Sequence, residues 1–137
     1  MWWTYALLSA FFAALTAILA KKGVANMDSN LATAIRTSFI LVLTWGVAIF
    51  RGNTGSIQSL SKQNWLFLLL SGIATGLSWM FYFKALQLGK VSQVAPVDKM
   101  SVAMAIILSI IFLGEPLTLK TAVGAVLIIG GTLVLIF

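Results

Sequence analysis

Of the 137 residues, 61% are hydrophobic and only 9% are charged, whereas a soluble domain carries roughly a quarter charged residues; this chain has too little polar surface to face water and no polar stretch long enough for a soluble domain. The absence of Cys and His excludes thiolate nucleophiles, disulfides, histidine-assisted catalysis and the usual zinc, copper or haem sites, and Asp28, Asp98 and Glu115 as the only acids leave no carboxylate pair for hydrolysis, so the reading is a non-enzyme with no metal or cofactor. The net charge of +6 comes from Lys and Arg scattered singly or in one pair, which is no nucleic-acid footprint and fits the loops of a protein whose partner is the lipid bilayer.

A membrane crossing takes about 20 apolar residues in a helix, and five segments meet that length. The first runs from Trp2 to Ala20; no basic residue precedes it and Lys21 and Lys22 follow it, which argues for a retained membrane helix over a cleaved signal peptide. The second runs from Asn30 to Phe50. The linker from Arg51 to Asn64 holds Gly52, Asn53, Gly55 and three Ser and reads as a flexible surface connection. The third span is Trp65 to Lys84. The fourth is Ser92 to Leu113, with Asp98 and Lys99 inside it and Pro96 in its first turns, where proline disturbs a helix least; the alternative is four spans plus a re-entrant segment. The fifth is Leu117 to Phe137. Gly-Lys-Val after the third helix and Gly114-Glu115-Pro116 after the fourth are tight breaks that make neighbouring helices antiparallel.

Trp2, Trp3, Trp45 and Trp65 fall at one membrane face by this count, as an aromatic belt does. Loops on that side carry Arg51, Lys62 and Lys120, against Lys21, Lys22, Lys84 and Lys90 on the other. Adding the embedded Arg36 and Lys99 to the second side would place it in the cytoplasm, but the loops alone are close to balance and permit either orientation.

Ala85-Leu86-Gln87-Leu88-Gly89, Ser92-Gln93-Val94-Ala95-Pro96, Phe112-Leu113-Gly114-Glu115-Pro116-Leu117-Thr118 and a glycine-rich last helix, in this order, resemble an EamA-type domain of the drug/metabolite transporter superfamily. Arg36 extends the likeness into the second helix, and Pro96-Val97-Asp98-Lys99-Met100-Ser101 resembles the short, single-domain bacterial and archaeal branch. The resemblance implies an all-α integral membrane fold, one transmembrane domain over residues 1–137, and five helices forming half of a ten-helix inverted-repeat transporter. It also implies export of small metabolites across a bacterial or archaeal plasma (inner) membrane by a multi-pass protein. Phe-Phe-Ala-Ala-Leu-Thr stands where the family often has Trp-Gly in the first helix, so no substrate contact carries over there.

Alternating access commonly rocks two repeats about a midplane site, and five helices supply one repeat. A second copy is therefore expected, and because five is odd it must insert in the opposite orientation to complete an inverted repeat. The expectation is an antiparallel homodimer of dual topology that moves small polar or amphipathic metabolites. Two other readings are a flippase for a lipid-linked headgroup and a non-transporting membrane assembly subunit.

Candidate pathway residues follow from charge and helical period. Arg36 and Asp98 each lie about six residues into their spans, roughly 9 Å deep, where a charge costs about 2.5 to 3.5 kcal/mol. Either they form an ion pair that ties the second helix to the fourth, or Arg36 (or Lys99) holds an anionic group while Asp98 accepts a proton or cation. Lys99 projects about 100° from Asp98 and reads as snorkelling to the interface; Ser101, Ala105 and Ser109 share the Asp98 face. On the third helix Ser71, Thr75, Ser78 and Tyr82 form one polar face, beside Gly72, Gly76, Trp79 and Phe83. Small residues at such spacing pack helices at least as often as they line a path, while Trp79 and Tyr82 could hold amines or apolar groups. Gly124, Gly130 and Gly131 give the last helix a smooth surface for dimer contact, and Glu115 is expected to cap that helix.

Overall fold

The computed structural model describes residues 1–137, the side chain of Asn53 excepted. Five helices long and apolar enough to cross a membrane follow one another: α1 (Trp2–Gly23), α2 (Ser29–Phe50), α3 (Lys62–Leu88), α4 (Val91–Leu113) and α5 (Leu119–Ile136). The fourth segment is one uninterrupted helix of 23 residues. Proline at its sixth position, Pro96, leaves one carbonyl of the preceding turn without an amide but does not break the helix. At about 1.5 Å per residue, the 27 residues of α3 exceed a hydrocarbon core of about 30 Å, so its polar ends Lys62-Gln63-Asn64 and Lys84 to Gln87 reach the interfaces.

Local chemistry sets the ends. Asp28 Oδ1 accepts the amides of Asn30 (2.9 Å) and Leu31 (3.0 Å) and starts α2, and Ser61 Oγ accepts the Asn64 amide at the start of α3. Lys21 and Lys22 sit in the last turn of α1, where cations complement exposed carbonyls. Gly114 ends α4 at φ +67°, a left-handed conformation costly for other residues. The cap of α5 is not Glu115: Thr118 Oγ1 accepts the Thr121 amide at 3.1 Å, because the chain spends Glu115 to Leu117 reversing direction around Pro116 before the helix can begin. The connection after α2 also differs from expectation, since Asn53–Ser59 coil into a 3-10 helix.

The chain divides into two compact units, Met1–Leu19 with Leu88–Phe137, and Ala20–Gln87. In the first, α4 packs against α5, and the Thr132 hydroxyl donates to Pro96 O across that contact at 3.2 Å as well as to Ile128 O in its own helix. Ala17, Ala103 and Thr132 are its buried residues. In the second, α2 packs on the 3-10 helix, and Thr44, Trp45, Ala48, Thr54 and Ile57 line a shallow cavity of about 270 Å³ there. Val24, Ser29, Ala32, Thr33, Phe83 and Leu86 are buried in this unit. The end of α3 is clasped to the α1–α2 turn: Gln87 Nε2 donates to Val24 O (2.8 Å) and Met27 O (2.7 Å), and Lys21 Nζ donates to Leu86 O. Large apolar side chains are exposed on all five helices, the pattern of a surface that lipid covers.

Candidate functional site

Backbone amides and carbonyls inside a bilayer must be satisfied within the helix, and hydroxyls follow suit. Thr33, Thr37, Ser38 and Thr44 on α2 donate to carbonyls three or four residues earlier, as do Thr75 on α3 and Ser109 on α4. Arg36 cannot be satisfied that way. It is the eighth residue of α2, about 10 Å along the axis from the helix start, and its side chain has only donors.

Two aromatic rings meet it. The guanidinium carbon lies 4.9 Å from the centroid of the Trp79 ring and 4.8 Å from that of Phe83. These residues are one helical turn apart on α3, so their side chains project to the same side. Counted from the end of α3 at Leu88, Phe83 lies about 8 Å and Trp79 about 14 Å along the axis, which brackets the depth of Arg36. Each such contact contributes about 0.5 to 2 kcal/mol, so the pair offsets much of the 2.5 to 3.5 kcal/mol cost of a charge at this level. Phe83 is 1% exposed, so this ring is held by packing, while Arg36 and Trp79 are half-buried.

Among the described residues of its own unit, no hydrogen bond or ion pair reaches the Arg36 guanidinium. The carboxylate of Asp98 pairs instead with its neighbour, Lys99 Nζ to Oδ2 at 3.2 Å. Lys99 therefore bends back along α4 to Asp98, where side-chain directions 100° apart had suggested that it would point away; its long flexible stem closes the gap.

The other candidates are placed as follows. Tyr82 stands beside Phe83, ring centroids 5.8 Å apart. Ser78 and Thr75 are exposed on α3, the latter with its hydroxyl turned to Ser71 O. Ser101 is exposed on α4, three residues beyond Asp98. A side-chain carbon added at Gly72, Gly76, Gly124, Gly130 or Gly131 would meet nothing within 4 Å, so a methyl group has room at each of them. Phe83 is the site residue that sequence reasoning missed. Its spacing of four from Trp79 was visible, but with two glycines in the same row the stripe read as helix packing.

Comparison with known proteins agrees with this architecture. The chain is 47% identical over 134 residues to an uncharacterized transporter in the cobO 3′ region of Sinorhizobium sp., covering 98% of this chain and 95% of that protein. It is 27% identical over 128 residues to the uncharacterized transporter YxxF of Bacillus subtilis strain 168, of which it spans 40%. No solved structure matches. The EamA-like transporter family matches residues 1–137 without a gap at either end, and with five membrane-length helices and a buried-depth arginine on the second, the chain is a multi-pass membrane protein that belongs to the EamA-like transporter family.

Proposed function

We propose that residues 1–137 act as one transmembrane domain of a secondary transporter that exports small polar or amphipathic metabolites by alternating access, in the inner membrane of a bacterium or archaeon. The observation that carries this reading is the Arg36 cluster: a cation about 10 Å along a membrane-length helix, backed by Trp79 and Phe83 and engaged by no carboxylate among the described residues of its own unit. Charges inside membrane helices mark substrate or ion pathways and proton relays. Tyr82, Ser78 and Thr75 contribute further polar and aromatic surface to that pathway from α3. On α4, Asp98 is the coupling group that takes a proton or cation, with Ser101 on its face.

We further infer that two copies assemble as an antiparallel homodimer through the face of α5 that carries Gly124 and Gly131, with Gly130 beside it. Two findings support this. The five-helix module occurs at nearly its own length in one relative and as 40% of another, as expected of a unit that works with a second half, and the α5 glycines are open within the chain.

The test is flux in proteoliposomes. Asp98→Asn keeps the shape of the side chain and removes its charge, so it is expected to insert normally and to lose coupled transport. Full transport by this variant would refute the coupling role.

A further inference from the structure

The acidic residues of the chain are few, and each has its place. Asp28 caps α2, Asp98 pairs with Lys99, and Glu115 lies in the turn after α4, its amide donating to Ser109 O. Within its own unit Arg36 rests on two rings, with Tyr82 in electrostatic reach.

An aromatic ring interacts with a cation through its π face and accepts none of the five N–H groups of the guanidinium. The neighbouring hydroxyls Thr33 and Thr37 donate to backbone carbonyls of their own helix. Every buried side-chain nitrogen or oxygen among the described residues has a partner, so the guanidinium nitrogens are not sealed inside the protein, in keeping with the half-buried state of Arg36. The result is a planar, charged fork that rests on Trp79 and Phe83 and whose donors are unused within its own unit. Such a fork matches two oxygens of one carboxylate or phosphate, and with the surrounding apolar helices lowering the local dielectric the attraction is stronger than in water.

We propose that Arg36, steadied by Trp79 and Phe83, is a binding site for an oxyanion, a carboxylate or phosphate group of the transported molecule or of a lipid headgroup. This rests on Arg36 lying on the translocation pathway, but it is tested by binding alone, so failure to transport and failure to bind are separate results.

The experiment uses the full chain in nanodiscs of phosphatidylcholine, with benzoate, phenyl phosphate and phenethylamine as probes and thermal unfolding and equilibrium titration as readouts. Benzoate or phenyl phosphate should bind and raise the melting temperature, phenethylamine should not, and Arg36→Gln should weaken anion binding at least about tenfold, the loss of one charge-assisted fork. Arg36→Lys, which keeps the charge and protects the fold if Arg36→Gln is unstable, should retain weaker binding without the preference for paired oxygens. If neither soluble anion binds but phosphatidylglycerol in the nanodisc stabilises the wild type and not Arg36→Lys or Arg36→Gln, the oxyanion comes from lipid. Unchanged anion affinity in the Arg36 variants, a response to phenethylamine alone, or no response to any soluble or lipid anion would overturn the proposal.

Discussion

Arg36 shows how a single residue can be placed by what it lacks. In water an arginine finds acceptors everywhere; about 10 Å into a membrane helix it must be given partners or excluded, and here the protein supplies π faces from Trp79 and Phe83. A double-mutant cycle with Arg36→Met and Trp79→Leu is expected to show a coupling of about 0.5 to 2 kcal/mol in detergent unfolding; additive effects would mean that the contact contributes nothing. Phe83→Ala should cost about 3 to 5 kcal/mol, more than Trp79→Leu, because Phe83 is almost fully enclosed. The sequence made Arg36, Asp98 and Trp79 conspicuous, since charge and aromatic type stand out in an apolar chain. It could not show that Arg36 sits on rings, or that Lys99 turns back to Asp98, because helical angle fixes the direction of a Cα–Cβ bond but not where a four-carbon stem ends.

Among the elements, hydropathy located every span, while the ends were set by chemistry that hydropathy does not measure. Helix α3 runs beyond both ends of its apolar segment, because Ser61 caps its start by accepting the Asn64 amide and Lys62, Gln63 and Ala85 to Leu88 are good helix formers. Helix α5 starts late because Gly114 and Pro116 impose a turn before Thr118 can cap it. The Thr132 bond to Pro96 O was beyond reach, since it depends on the relative register of α4 and α5. Thr132→Val should loosen this hairpin by about 0.6 kcal/mol, the usual worth of such a bond in a membrane, measured as a lowered melting temperature. Gly114→Ala should cost about 1 to 2 kcal/mol for its left-handed backbone although space is open around it, whereas Gly131→Ala, in a regular helix, should leave the unfolding of the separated chain no weaker.

At the scale of the molecule, the exposed apolar helices are those of a lipid-covered module, and the near-balanced loop charges permit the opposed insertion that the proposed dimer needs. Leu at Gly124 and Gly131 is expected to abolish dimerisation, seen by cross-linking and size measurement, because attraction between membrane helices rests on close packing; a Cβ added at either position meets nothing within 4 Å, so loss of the dimer together with unchanged unfolding of the separated chain would report contact between chains and not damage within one. Composition and family motifs made the half-transporter architecture legible, but they carry no information on which surface meets the partner. The most direct test of the account is the orientation of single chains in the native membrane. The protein has no Cys, so Ser56→Cys in the exposed 3-10 segment after α2 and Lys22→Cys in the exposed last turn of α1, just before the turn that leads into the other end of α2, can each be labelled in intact cells with a membrane-impermeant reagent. Opposed insertion predicts that about half of the molecules react at either position, as a two-fold pair of inverted copies requires; labelling confined to one of the two positions would contradict the antiparallel dimer.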